Sequence, residues 1–275
     1  MRRSTFALAL ALAACTTFSP HRVAPAQRRI VALIPSFVED LIAIGAQRQI
    51  VGISSGSEDI AEMRNIPRVA SFSSVDVERI VALHPDVVVA IPAQMRFIVP
   101  LQRMGMDVEQ LPDDTYAEIF TNIGRLGAVS GREHQATAEI AHLQDVTARL
   151  RVNVGRAAHR PSVFVVLGTE PIWTAGSNSY IGTLITLAGG RDAAGNLAGA
   201  YSEYSAEALV RAQPDAIVSD PSTHLADVLN REPWRTLRAV RLHHVFIIPD
   251  ASWIERPGPR YVRGLAWLIA QLRKL

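Results

Sequence analysis

Glu78-Arg79-Ile80-Val81-Ala82-Leu83-His84-Pro85-Asp86-Val87-Val88-Val89 and Glu207-Ala208-Leu209-Val210-Arg211-Ala212-Gln213-Pro214-Asp215-Ala216-Ile217-Val218 carry a glutamate, a Pro-Asp pair and an apolar run at the same spacing. In each, proline stops a short helix because it lacks an amide hydrogen and crowds the preceding turn. The aspartate suits the turn, and the apolar residues after it suit a buried strand. A helix, Pro-Asp, strand succession also arises by chance as a common connection. Its recurrence at identical spacing in both halves predicts two lobes of like construction.

Around the first copy, Ile30 to Ile34, Ile50 to Ile53, Val87 to Ile91 and Val108 to Leu111 are strand candidates separated by amphipathic stretches. Around the second, Val163 to Leu167, Ala216 to Ser219 and Val245 to Ile248 repeat the alternation. Strands alternating with helices predict an α/β fold of two doubly wound lobes with mainly parallel central sheets. Between them, Arg132 to Val154 holds neither glycine nor proline, and Ile140, Leu143, Thr147, Leu150 and Val154 recur at steps of three and four. That spacing predicts a single long helix of roughly 35 Å joining the lobes. The expected division is an N-terminal lobe over 29–127, a bridging helix over 128–157 and a C-terminal lobe over 158–275. A stiff helical joint restricts hinge motion, so a cleft between the lobes should close only slightly around its contents.

The N-terminus reads differently. Arg2 and Arg3 precede an apolar run from Phe6 to Leu12, and Leu12-Ala13-Ala14-Cys15 supplies a small-residue cleavage context. This is an export signal over 1–15, too short to span a bilayer. Cys15 is the one cysteine of the chain, so no intramolecular disulfide forms. Its place at the end of the signal favours lipidation over an incidental cysteine in an ordinary cleaved signal. Residues 16–28, with Pro20 and Pro25, then read as a tether. Without Arg2 and Arg3 the 28 basic side chains fall to 26 against 26 acidic ones. That balance argues against a nucleic-acid surface, which needs a clustered basic excess.

In doubly wound lobes a ligand sits beyond the carboxyl ends of the strands. The loops there contain Ser36, Ser54 to Gly56, Phe72 and Arg96 from the first lobe, and Trp173, Tyr201, Asp220 to His224 and Ser252 to Arg256 from the second. Trp173, Tyr201 and Trp253 lie in polar, Gly- or Pro-flanked stretches, whereas Trp267 sits inside an amphipathic terminal helix. Each aromatic could pack under its own loop; three in cleft-facing loops favour a shared role, since flat rings suit a macrocycle or a planar chelate. Two other chemistries compete. Gly52-Ile53-Ser54-Ser55-Gly56 satisfies the G-x-S-x-G pattern of a serine hydrolase, with Asp215 or Asp220 and His243 or His244 following in order, but no oxyanion-type glycine run precedes it. Eight histidines raise a bare metal ion as ligand, although none converges with a carboxylate by spacing. No phosphate-binding glycine loop is present, which removes nucleotide chemistry.

Several stretches together resemble the helical-backbone periplasmic binding proteins of ABC importers for iron-siderophores, haem and cobalamin, and look closest to the cobalamin-binding members. They are Ile34-Pro35-Ser36-Phe37-Val38-Glu39-Asp40-Leu41 with Gly45, Val51-Gly52-Ile53-Ser54, Val77-Glu78-Arg79-Ile80 with Pro85-Asp86, and Trp253-Ile254-Glu255-Arg256. The resemblance runs from about Arg29 to the C-terminus and implies a monomeric, non-enzymatic lipoprotein of the periplasm or cell envelope. It would carry no cofactor, hold a metal chelate in the interlobe cleft, and deliver it to a permease with its ATPase subunits. By the same resemblance Glu78 and Glu207 match the glutamates that dock on permease arginines, although each would also favour a helix N-terminus through the dipole. Phe72, Trp173, Tyr201, Trp253 and Arg256 match positions that contact a corrinoid, and Ser36 and Ser252 stand on cleft-facing loops as further ligand-binding candidates. Gly56, Ile91 and Leu167 stand where those relatives present aromatic side chains, which leaves a hydroxamate or catecholate siderophore open, with Arg256 and Arg96 as anion partners. Haem is disfavoured because Ala70 to Ser74 offers no tyrosine or histidine as axial ligand.

Overall fold

Short runs of valine and isoleucine become strands buried on both faces. The computed structural model describes residues 28–57, 59–71, 73–152, 154, 160–197 and 199–275. The expected signal over 1–15 with Cys15, most of the tether, Phe72, and residues 155–157 of the expected bridging helix lie outside the described residues. The first lobe runs β1 (Ile30–Ala32), α1 (Pro35–Ala43), β2 (Ile50–Ser54), β3 (Arg68–Ala70), α2 (Val77–Ala82), β4 (Val87–Ala90), α3 (Met95–Arg103) and β5 (Val108–Gln110). Its strands lie parallel in the order β3-β2-β1-β4-β5. Along β1, Ile30 and Ala32 enter one apolar cluster and Val31 another; along β4, Val87 and Val89 part from Val88 and Ala90 in the same way. Helices on both sides of a parallel sheet produce this two-faced burial.

Two helices make the connection, α4 (Tyr116–Ser130) and α5 (Glu133–Arg151). Thr115 and Glu118 cap the start of α4 reciprocally, and Gly131, in the left-handed region at φ 67°, ends it. That glycine separates residues 128–130, which finish α4, from the long helix expected over 128–157. The 19 residues of α5 span roughly 28 Å. α4 packs on α1, and α5 packs on α4.

The second lobe continues with β6 (Ser162–Val165), β7 (Gly168–Thr169), β8 (Ile172–Ala175), α6 (Tyr180–Leu187), β9 (Arg191–Asp192), β10 (Tyr201–Glu203), α7 (Ala206–Ala212), β11 (Ala216–Ser219), α8 (Arg238–Arg241), β12 (Val245–Ile247), α9 (Ser252–Glu255) and α10 (Tyr261–Leu272). A parallel sheet runs β12-β11-β6-β9, and an antiparallel sheet β10-β8-β7 lies beside it. The antiparallel strands are two to four residues long and lack a sustained apolar run, so sequence periodicity did not disclose them. α6 packs on α4, and α10 packs on α5 and α6. One apolar cluster therefore runs through both lobes, from Ile30 and Phe37 to Val163, Tyr180 and Tyr261.

The sequence repeat recurs as a structural repeat. Asp76 and Ser205 cap α2 and α7 through their side chains, accepting from Arg79 N and Ala208 N. His84 and Gln213, each just before the proline, both take positive φ, 45° and 40°. Asp86 Oδ2 then accepts the Arg29 amide at 2.7 Å, and Asp215 Oδ2 the Ser162 amide at 2.8 Å. Each Pro-Asp aspartate thus ties down the start of the first strand of its own lobe. Ile30 pairs with Val87 and Val163 with Ala216, the residues directly after each aspartate.

Candidate functional site

A cavity of about 390 Å3 opens beyond the carboxyl ends of β1, β2, β4 and β5. Chain order places β2 and β3 on one side of β1 and β4 and β5 on the other, so the loops after β1 and β4 part here. Leu33 to Ser36, Ser54, Ser55, Ile91, Gln94 and Asp113 line it from the first lobe, and Glu255, Arg256 and Pro257 from the second. Gln94 is fixed in the floor: its Nε2 donates to Leu33 O and its Oε1 accepts from Ile91 N.

Two carboxyl groups, Asp113 and Glu255, stand in the polar lining. Burial first, and then the neighbouring charges of Asp114 and Glu118, push Asp113 up to about 7. Glu255 keeps exposed surface as a residue, yet its carboxyl is shielded beside Asp220; burial and that neighbour push it up to about 8, against the pull of Arg256. Behind this wall Asp40 is fully buried with both carboxyl oxygens unpartnered. Burial, followed by the charges of Glu39, Asp113 and Glu139, holds it well above the usual carboxylate range.

Arginine from the second lobe closes one side of the cleft. Arg256 donates to Glu39 Oε1 at 2.7 Å, to Asp59 and to the Gly56 carbonyl at 2.6 Å. Arg260 reaches Glu39 at 2.8 Å, Asp59 at 3.2 Å and Asp250 at 3.5 Å. Burial raises Glu39 and outweighs the two guanidinium groups. At the more open Asp59, burial loses to Arg256 and Arg260, and the group lies below its ordinary value. Both arginines therefore face carboxylates of the opposite lobe, and Arg96 extends from the first-lobe rim, held by Ser73 O at 2.9 Å and stacked 4.5 Å over Phe97.

Two of the seven expected ligand residues, Ser36 and Arg256, line this cavity. Tyr201 is half-buried on β10, and the nearby charges of Asp113, Asp114 and Glu118 help to raise its hydroxyl above the usual tyrosine range after burial. Trp173 is exposed on β8, paired with Glu203. Ser252 is buried; it donates to Asp250 and accepts from Arg260, so it steadies the arginine. Trp253 packs on the main core with its Nε1 buried and unpartnered. Phe72 lies outside the described residues. Glu78 and Glu207 are exposed in the first turns of α2 and α7. Sequence reasoning passed over Asp113 and Asp59, quoted Glu39 only within the family resemblance, and placed Asp220 and Glu255 in cleft-facing loops without giving either a ligand-binding role. An acidic residue just past the last strand of a lobe was the available signal for Asp113.

The competing chemistries fare differently from their sequence patterns. Ser54 Oγ is buried with no hydrogen-bond partner, while Asp215 and His244 meet each other at the opposite, amino end of β11. The hydrolase order of residues is thus not brought together. Among the described residues no group of three or more His, Cys, Asp or Glu is arranged to hold a metal ion. No described helix is long and apolar enough to cross a membrane.

Comparison with known proteins agrees with this architecture. The family described as periplasmic binding protein matches residues 30–251. The uncharacterized ABC transporter substrate-binding lipoprotein YvrC of Bacillus subtilis (strain 168) is 26% identical over 248 residues, covering 86% of this chain and 77% of that one. The vitamin B12-binding protein of Vibrio cholerae (strain ATCC 39541) is 29% identical over 279 residues, covering 97% and 98% of the two chains. The structure of the periplasmic heme-binding protein RhuT from Roseiflexus shares the fold, with a TM-score of 0.80 and 22% identity over 90% of this chain and 98% of that one.

Proposed function

The chain belongs to the periplasmic binding protein family, and from that premise we propose that this substrate-binding protein of an ABC transporter captures a metal chelate in its interlobe cleft, cobalamin before an iron-siderophore, and hands it to a membrane permease. The observation that carries this reading is the cavity itself, built from strand-end loops of one lobe and capped by Glu255 to Pro257 of the other. Its volume lies at the lower end of the roughly 300–1,000 Å3 of small-molecule clefts, so a macrocycle would fill it and extend through the mouth. Among the described residues its lining contains neither tyrosine nor histidine, which suits a chelate that arrives with its metal fully ligated and disfavours haem, whose iron takes an axial ligand from protein. Relatives named for vitamin B12 binding support the first choice.

Glu78 and Glu207, exposed at equivalent places of the two lobes, would dock on permease cations, where matched charges fix orientation and speed encounter. Cys15 would carry the lipid anchor, with 16–28 as tether. Equilibrium titration of the mature protein with cyanocobalamin, a ferric hydroxamate, a ferric catecholate and haemin tests the cargo. Micromolar or tighter binding of cyanocobalamin is expected. Failure of all four chelates to quench tryptophan fluorescence or bind calorimetrically at micromolar concentration overturns the assignment.

A further inference from the structure

The helix that starts at the cavity wall has no cap of its own. Ile34, at the N-cap of α1, makes no side-chain bond, and among the described residues no acceptor meets the amides of Ser36 and Phe37. Such amides turn to a side chain, to water or to a ligand, and the helix dipole favours an anion. Ser36 is 2% exposed and lines the cavity, and its hydroxyl has no hydrogen-bond partner among the described residues. Ser54, at the end of β2 on the same cavity, is also 2% exposed, with its Oγ unpartnered. A buried hydroxyl left unpaired is costly, so two at one cavity call for a common acceptor. Gln94 Nε2, bonded to Leu33 O at 3.2 Å, ties the start of α3 to the loop before α1 and so brings Arg96 to this cavity. Arg96 bonds Ser73 O and stacks on Phe97, with no carboxylate partner among the described residues.

We propose that the N-terminus of α1, the hydroxyls of Ser36 and Ser54 and the Arg96 guanidinium form an oxyanion subsite of the cleft, which takes a phosphate group carried on the cargo. The donors come from three strand ends, after β1, at β2 and after β4, an arrangement that suits an anion rich in oxygens. Arginine adds a planar fork and a full charge that phosphate accepts well. Of the two candidate anion partners, Arg256 is spent on Glu39, Asp59 and Gly56 O, which leaves the task to Arg96. Two acids share the lining, Asp113 and Glu255. Held up to about 7 and about 8, both are mostly protonated at pH 6 and there oppose no anion. Cobalamin joins its nucleotide to the corrin side chain through a phosphodiester, whereas a ferric hydroxamate carries no phosphate.

This inference rests on the cleft being the cargo site, and inorganic phosphate separates the two claims. Cobinamide and cobinamide phosphate, both in the dicyano form, share the corrin ring and differ by the phosphate. In calorimetric titrations of the mature protein at pH 6 the phosphate ester should bind about tenfold more tightly, the worth of a charge-assisted contact. Arg96→Gln, on the exposed rim, should keep the melting temperature and bring the two affinities within about twofold of each other. Inorganic phosphate alone should bind the wild type at millimolar concentration and Arg96→Gln about fivefold more weakly. Equal affinities of the wild type for the two corrinoids overturn the contact with a cargo phosphate. Inorganic phosphate that binds both proteins equally is an adventitious ion only and overturns the subsite, as does a preference for the phosphate ester that survives in Arg96→Gln. Phosphate binding that weakens in the variant, with neither corrinoid bound, overturns the cargo assignment and leaves the subsite standing with a free oxyanion as its ligand. If neither phosphate nor corrinoid binds, both claims fall.

Discussion

Arg256 Nη1 donates to Glu39 Oε1 at 2.7 Å, joining residues 217 positions apart and closing one side of the cleft with a charge from each lobe. Glu39 is nearly fully buried and also meets Arg260, so one carboxylate holds two guanidinium groups against the first lobe. Glu39→Ala should lower stability in urea by about 1–2 kcal/mol, since each guanidinium loses one partner while keeping Asp59. In a double-mutant cycle Arg256→Ala should cost much less on the Glu39→Ala background than alone. Additive losses would mean that the pair does not couple the lobes.

Tyr261 is the polar pin of the joint between the connecting helices and the second lobe. Its hydroxyl donates to Leu143 O at 3.2 Å and bonds Thr147 Oγ1 at 2.7 Å and Tyr116 OH at 3.1 Å, while its ring is fully buried. Tyr261→Phe keeps the ring and removes all three bonds. A loss of about 1–2 kcal/mol is expected in chemical denaturation.

Gly264 lets α10 lie against α9. A Cβ there would collide with the Trp253 carbonyl oxygen, which belongs to rigid backbone. Gly264→Ala should destabilise by about 1–3 kcal/mol and weaken cargo binding, since α9 carries Glu255. Unaltered melting and affinity would show that the helices separate freely.

The raised carboxyls set the direction of pH dependence. Asp40, Asp113 at about 7, Asp192 at about 6 and Glu255 at about 8 all hold protons in the folded chain that the unfolded chain has lost. Their contribution is complete below the unfolded carboxylate range near 4 and is lost as pH rises through the folded values. Thermal melting should therefore fall between pH 5.5 and pH 9. Asp40→Asn, which mimics the protonated acid, should shallow that slope; a steeper slope would contradict the assignment.

Reversing both Glu78 and Glu207 to lysine should reduce transport in reconstituted vesicles by at least tenfold while leaving the cargo Kd within twofold. The two glutamates lie on exposed first turns away from the cavity, so a matching loss of cargo affinity would refute the docking role.

Most of the architecture was legible because each parallel strand is an apolar run closed by a turn residue, and because Glu78 to Val89 and Glu207 to Val218 announce the same unit twice. The short strands β7 to β10 escaped notice, having no periodicity of their own. For the cleft, the loops after β1, β2 and β4 were named and line the cavity, the loop after β5 with Asp113 was not, and the large aromatics chosen stand apart from it: Trp173 on the exposed face of β8 and Trp253 on the core. Residue type signals the capacity to bind; the direction of a side chain depends on packing partners distant in sequence.

By itself the sequence determined the class of sheet and the two lobes of like construction, because burial patterns and turn chemistry are local. The partnership of Arg256 with Glu39, the raised carboxyl of Asp113 and the burial of Asp40 were decided only by tertiary structure. Each depends on charges brought together from distant positions and on the loss of water around them, and neither distance nor desolvation is written in the order of residues.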